Sequence, residues 1–530
     1  MSSATPPPAE AAELLGRRAG KPGLTLLAAL LGLFITLLDI TVVTVALPTI
    51  GTDLQASFRG LEWVANAYML ALAVFIVTAG RLGDLYGQRR VYTLGTIVFL
   101  LGSLICALSG RLSILGWAHI TTLHLGRVVQ GLGGAVVLPL TLAIVYSCFE
   151  GRKRALGIML WGAVGGLATA LGPLVGGLLV EWIGWEWIFL VNLPIGAVVI
   201  VAALVGLRDP APRAVGRSGE SLDLPGLVIV SAALFCLNLG LINGAAWGWS
   251  SWRVLGLLGG SIALFALFLF AESRATDPIM DLSWFRRQNF GGSVLAGFLM
   301  GAGMFSVLFY LSIYLQNGLG LSALATGVRL LPLTLVLMLG APLGGRVAAK
   351  LGVRKALAGA FVLMAIGIAL FTLVDPEGGA DSWTLLLPGM LITGFTMGVV
   401  MPISSELTVA AAPPEQIGVG ASAGTMFRQV GNAVGIAVMG AMMSSQTDAV
   451  RDKAARLKEA GTLTAEKAEA LQRAAVTHGL QHGAWYAAGL TLAAALFVLL
   501  LVRDPRSPAS PTAPAEQTAP VLSVHDRPTV

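Results

Sequence analysis

Apolar residues run along this chain in long unbroken blocks, without the alternation of a half-buried strand or the single polar face of a soluble helix. A helix needs roughly 20 apolar residues to cross a bilayer core of about 30 Å, and about fourteen stretches meet that need. The first six are Leu24–Ile50, Glu62–Gly80, Val91–Ser109, Ile120–Val145, Ala155–Val180 and Trp187–Leu207. Two more follow at Leu224–Asn243 and Val254–Ala271. The last six are Gly291–Leu315, Ala323–Val347, Ala356–Val374, Thr384–Ala411, Gly418–Met443 and Ala484–Val502. The first block is too long for a signal-peptide core and no small-residue cleavage site follows it. Both ends read as disordered tails, because segments rich in Pro, Ala, Ser and Thr bury too little to fold.

The polar connections set the expected orientation, since Lys and Arg concentrate on the cytoplasmic side. Alternate connections carry Arg81/Arg89/Arg90, Arg152/Lys153/Arg154, Arg208/Arg213/Arg217, Arg274/Arg286/Arg287, Arg346/Lys350/Arg354/Lys355 and Arg503/Arg506, with Arg17/Arg18/Lys21 before the first block. The short connections between them carry only Arg59, Arg111 and Arg253. Both termini are therefore expected inside. The long connection 444–483 holds six basic residues on the outer side, but long loops cross largely regardless of charge. Its charged, Ala-rich stretch Asp448–Ala474 predicts a short helix or hairpin.

Composition narrows the class. The 530 residues are 56% apolar and 12% charged, with a mean hydropathy of +0.80. Those values lie outside the soluble range and exclude a cytoplasmic enzyme, a secreted domain and a disordered chain. The net charge of +6 matters less than where the basic residues stand. Cys106, Cys148 and Cys236 share no spacing that makes a disulfide framework or a metal site.

An internal repeat organises the blocks. GRLGDLYGQRR (Gly80–Arg90) follows the second, and GRVAAKLGVRK (Gly345–Lys355) follows the tenth, at an offset of 265. QGLGGAVVLPLT (Gln130–Thr141) and TGFTMGVVMPIS (Thr393–Ser404) match at an offset of 263. Two matches at nearly one offset predict two related six-helix bundles, residues 23–207 and 290–503, with a linker of two inserted spans at 208–289 and tails at 1–22 and 504–530. Transporters are often built this way, with the substrate between the repeats.

Single residues then suggest chemistry. Asp39 stands mid-span, and an intramembrane carboxylate is functional by default. Counting 1.5 Å per residue puts Asp39 roughly 22 Å and Arg127 roughly 27 Å above the inner ends of their spans, near one depth, so an interaction, direct or through water, fits. A structural ion pair is the plain alternative for the two. Glu406 is the other acid within a span, close to the inner end, where a snorkelling role competes. Tyr310, Tyr314, Gln316, Met300, Met304 and Phe305 are candidates to line a cavity, because aromatic and Met surfaces repack around different ligands, but lipid-facing or core positions are the commoner reading since such residues are frequent in any span. The tenth block carries Arg329 and no acid, which argues against a dedicated dication exporter.

With LDITVVTVALP (Leu38–Pro48), LGRVVQGLGGA (Leu125–Ala135), GPLVGG (Gly172–Gly177), WEWIFLVNLPIG (Trp185–Gly196) and RQVGNAVG (Arg428–Gly435) added in order to the Gly80–Arg90 loop, the chain resembles the major facilitator superfamily. Within it the likeness is to the fourteen-span drug:proton antiporters. One departure is Ala168 where the family has Gly. The resemblance implies an all-α major facilitator fold and proton coupling through Asp39 and Arg127. It implies an inner gate locked in the outward-facing state by Gly80, Asp84, Gly87, Arg89 and Arg90. It also implies an antiporter motif at Gly172, Pro173, Gly176 and Gly177. The second loop has Ala349 where the first has Asp84, so the latch is one-sided.

Other motifs lead nowhere. GASAG (Gly420–Gly424) mimics a nucleophile elbow but lacks the strand it needs, and reads as small residues packing the thirteenth span. His478 and His482 lack a third metal ligand. No phosphate-binding GxxxxGK[ST] loop occurs, so transport would be secondary. The expected function is export of amphipathic or cationic drugs or natural products in exchange for protons by alternating access, from the plasma membrane of a GC-rich bacterium. The expected partners are a small molecule, protons and the bilayer, with no enzyme activity, cofactor, metal or nucleic acid, in a monomer. Competing readings are an exporter of one endogenous siderophore, amino acid or lipid, and more remotely a non-transporting receptor or an intramembrane hydrolase.

Overall fold

The computed structural model describes residues 21–111, 118–208, 223–275, 278–286, 288–374, 380–413, 416–459 and 464–504. The expected tails 1–22 and 504–530 lie almost wholly outside them. Fourteen long helices occur among the described residues. The first eight are α1 Pro22–Asp53, α2 Phe58–Tyr86, α3 Gln88–Leu108, α4 His119–Cys148, α5 Gly151–Trp182, α6 Trp187–Gly206, α7 Leu224–Trp247 and α8 Trp252–Glu272. The other six are α9 Asn289–Gly318, α10 Ala323–Leu351, α11 Val353–Ala369, α12 Leu387–Ala410, α13 Ile417–Glu459 and α14 Ala465–Leu501. Twelve of them are long and apolar enough to cross a membrane, and α5 makes a thirteenth if its two parts form one span. The sequence count of fourteen is reached only if α13 is included.

α5 bends by 41° between Gly151–Thr169 and Leu171–Trp182. Pro173 stands one turn beyond the break; its ring crowds the carbonyl four residues back and it donates no amide hydrogen. α9 is interrupted by π-helical turns at Gly301–Phe305 and Tyr314–Gly318. The connection expected over 444–483 is in large part helix, because α13 continues to Glu459 and α14 starts at Ala465. At about 1.5 Å per residue, α13 is roughly 65 Å long, about twice a bilayer core.

The sequence repeat reappears in packing. α1 packs on α5 and α6, α2 on α4, α3 on α4 and α6; likewise α9 packs on α13 and α14, α10 on α12, α11 on α12 and α14. The two sets meet through α2 against α13 and α5 against α10, contacts that the repeat exchanges for each other. α7 lies against α2 and α13, while α8 rests chiefly on α7 and is the least buried of the long apolar helices.

The backbone carries the repeat too. α2 and α3 are separated by Gly87 at φ 95°, ψ 134°, and α10 and α11 by Gly352 at φ 86°, ψ 153°. Side chains avoid that region, so glycine permits the abrupt reversal. Gly87→Ala is expected to cost about 1–3 kcal/mol. Its thermal midpoint in detergent should fall, whereas Gly359→Ala, on an open face of α11, should leave it level or slightly raised.

Candidate functional site

Two polar arrangements stand out in this apolar scaffold. The first is enclosed by α1, α2, α3, α4 and α6. Asp39 and Arg127 are each 1% exposed and form an ion pair, Arg127 Nη1 to Asp39 Oδ2, at 2.5 Å. Gln130 Nε2 donates to Asp39 Oδ1 at 2.7 Å and to Ser103 Oγ at 2.8 Å. Asn192 Nδ2 reaches the same two acceptors at 3.1 and 3.2 Å. Arg127 also donates through Nε to the Val64 carbonyl at 2.9 Å and through Nη1 to Gln130 Oε1 at 2.6 Å. Its guanidinium lies 4.3 Å from the centre of the Tyr68 ring, a cation–π contact.

Each member has a local reason to be there. Asp39 breaks an otherwise apolar helix whose neighbours Leu38, Val42 and Val43 are buried, so no water can solvate it and a cation must. Arg127 and Gln130, three residues apart on α4, share one face and both reach the carboxylate. Asp39 thus accepts from three side chains, and Asn192 Oδ1 is the one buried atom of these five side chains without a donor among the described residues. The sequence had placed Asp39 and Arg127 near one depth, and the structure joins them directly. Gln130, Asn192 and Ser103 were not picked out, although Gln130 and Asn192 lie inside runs already noted; polar residues in apolar spans were the available signal.

The second arrangement ties the two sets of helices together where α2 ends and α13 begins. Asp84 Oδ1 accepts from the Gly418 amide at 2.8 Å and Oδ2 from the Val419 amide at 2.9 Å. A carboxylate here satisfies amides left open in the first turn of α13 and favours its positive dipole end. The helices approach closely: a Cβ on Gly80 would lie 2.5 Å from the Gly418 carbonyl oxygen, and one on Gly418 2.6 Å from the Gly80 carbonyl oxygen. Gln88 accepts from Ser147 at 2.8 Å, fastening the same connection to α4. Arg89 is half-buried and Arg90 exposed beside it.

The Gly172–Gly177 run lies between α1 and α10. A Cβ on Gly172 would stand 3.1 Å from the Val42 amide nitrogen and overlap the Thr41 hydroxyl; one on Gly176 would be 2.9 Å from the Val42 carbonyl oxygen. On the other side a Cβ on Gly327 of α10 would lie 3.2 Å from the Pro173 Cβ, and Gly177 faces Leu324.

Glu406 shares no partner with Asp39. It is half-buried near the end of α12, and its charged neighbour is Arg154 of α5, which covers the Tyr146 ring at 4.2 Å. Met304 and Tyr314 are fully buried, Tyr310 donates to the Ile436 carbonyl at 3.0 Å, and Gln316 is exposed and donates to Ser312. Aromatic and Met side chains in a single span serve a core as readily as a cavity, and here the core takes three of the four. No group of three or more His, Cys, Asp or Glu that could hold a metal occurs among the described residues.

Comparisons with known proteins agree with this architecture. The family model described as Major Facilitator Superfamily matches residues 29–436. The chain is 37% identical over 438 residues to the Tetracenomycin C resistance and export protein of Streptomyces glaucescens, covering 82% of this chain and 78% of that one. It is 30% identical over 420 residues to the Multidrug transporter protein MdtP of Bacillus subtilis (strain 168), covering 79% and 74%. Among solved structures, the human organic anion transporter MFSD10 superposes with a TM-score of 0.61 at 16% identity, covering 90% of this chain and 99% of that one, a likeness of fold. A family match across most of the chain, near-full-length relatives and a shared helical fold lead to one conclusion: the chain belongs to the Major Facilitator Superfamily, whose members are membrane transporters rather than enzymes.

Proposed function

We propose that this protein exports amphipathic drugs or antibiotics across the bacterial plasma membrane in exchange for protons, by alternating access. The relatives named for resistance and export support the substrate class. The observation that carries the coupling is the closed Asp39–Arg127–Gln130–Asn192 network. A guanidinium keeps its charge in proteins. Protonating Asp39 therefore removes the counter-charge of a buried guanidinium, and the network has to rearrange. The Asn192 oxygen without a donor offers an acceptor for a protonated Asp39 once its amide rotates. A proton on one carboxylate thus biases the packing of five helices at once.

In this reading the chain has fourteen spans, α13 included, with both termini cytoplasmic. Residues 23–207 and 290–503 form two six-helix bundles that rock about the interface of α2/α13 and α5/α10, and the spans within 208–289 are peripheral. Asp84, Gly80, Gly87, Arg89 and Arg90 form the cytoplasmic latch, closed here on α13. Gly172, Pro173, Gly176 and Gly177 let α5 slide between α1 and α10. Glu406 and Arg154 attract each other across the same cytoplasmic half.

A susceptibility panel in an efflux-deficient bacterium tests this function, with proton movement followed in inverted vesicles for each protected compound. Protection against several amphipathic compounds, each driving proton release when added to acid-loaded vesicles, is the expected result. Protection with no proton movement would remove antiport.

A further inference from the structure

Beyond the ion-paired network, the latch and the Glu406–Arg154 pair, one charged side chain faces a polar pocket. Arg428 of α13 is half-buried and makes no hydrogen bond and no ion pair among the described residues. It lines a polar pocket with Ser293 of α9, Ser404, Ser405 and Thr408 of α12, and Thr425 of α13, and Leu142 of α4 closes the pocket from the other half. Thr408 donates to Ser293 at 2.9 Å, so hydroxyls from two helices already meet in its wall. Among the described residues no carboxylate lines it. Arg428 lies about eleven residues into α13, roughly 16 Å from the latch end.

A guanidinium cannot shed its charge, and holding it in an apolar setting without a counter-charge is costly. Charged side chains in spans face a cavity or a partner for that reason. Arg127 has Asp39, and the half-buried Arg154 has Glu406 and the Phe149 carbonyl. Arg428 has only a pocket of neutral hydroxyls, and planar donors beside hydroxyls match a carboxylate or an ionised phenol.

We propose that this pocket binds the acidic group of the exported molecule, so that the protein takes organic anions at Arg428 rather than cations. The inference rests on the export reading above and specifies its substrate class. A cation would meet like charge with no acid to offset it, whereas an anion recovers the desolvation of Arg428 and the hydroxyl donors of Ser404 and Ser405, since Thr425, Thr408 and Ser293 already donate elsewhere. The Leu142 wall makes the site span both halves, so it opens when the latch does.

The test uses full-length protein in nanodiscs and two dyes with one ring system, anionic carboxyfluorescein and cationic rhodamine 123, titrated by fluorescence anisotropy. Wild type should bind the anion more tightly than the cation. Arg428→Gln should weaken anion binding by about tenfold or more, the size of one lost charge-assisted interaction, and leave the cation unchanged or improved. Arg428→Lys should keep most of the preference. Ser405→Ala, which removes a wall hydroxyl without touching the charge, gives a smaller loss in the same direction and covers the case of an unstable Arg428→Gln protein. Anion binding indifferent to both Arg428→Gln and Ser405→Ala, or a wild-type preference for the cation, overturns the proposal. The export reading fails separately: anion binding through Arg428 with no gradient-driven efflux of any compound would leave the site and remove the transport.

Discussion

Asp39→Asn is expected to abolish proton-driven efflux and to lower the thermal stability of the purified protein. Both effects have one cause. Asp39 is the only carboxylate in contact with Arg127 among the described residues, and both are shut away from water. Removing one partner of a buried pair leaves an uncompensated charge, typically worth about 3–5 kcal/mol. Loss of transport alone would not separate a coupling role from a structural one, so the double variant matters. Asp39→Asn with Arg127→Gln removes both charges and leaves amides able to bond Gln130, Asn192 and Ser103. Its thermal midpoint should return most of the way to wild type while pH-gradient-driven efflux stays absent. Wild-type efflux rates in Asp39→Asn vesicles would show that the proton travels elsewhere, and Glu406 would be the next group to test. Restored efflux in the double variant would show that the pair serves only to fill the core.

Asp84→Ala is expected to shift the balance between the two faces more than it shifts affinity. The side chain accepts two backbone hydrogen bonds from α13, and these join the two halves of the molecule. Charge-assisted bonds of this kind contribute about 1–3 kcal/mol, which converts to a roughly 5- to 150-fold change in a two-state ratio. The closed latch should lose that amount, so a cysteine at Ser312 of α9 should be labelled less from the outside in the variant. Gly80→Ala should act in the same direction by a different route, because its Cβ meets the Gly418 backbone as well as the Ser422 hydroxyl. Unchanged labelling together with lost transport would remove the gating role of Asp84.

Much of this architecture was legible in the residues because the bilayer imposes a length on every span and a cost on every charge within one. That is why the helices lie close to the apolar blocks, why counting 1.5 Å per residue brought Asp39 and Arg127 to one level, and why the repeat at Gly80 and Gly345 announced a matching backbone reversal at Gly87 and Gly352. α13 and α14 outran their blocks, since the Ala-rich polar stretch between them forms helix without needing lipid.

Tertiary structure alone decided the partners. Asp84 binds backbone amides of α13, and an amide has no residue identity for a sequence to display. Met304, Tyr310 and Tyr314 turned inward to the core because a helix apolar on every side does not mark which face meets protein and which meets lipid. Gln130 and Asn192 gained their roles from helices 91 and 153 residues away from Asp39, distances over which no local pattern reaches. Arg428 read as one letter of a motif in the sequence. Only the arrangement of α9, α12 and α13 around it shows a lone guanidinium among neutral hydroxyls, because the lack of a counter-charge is a property of the surroundings that three dimensions bring together.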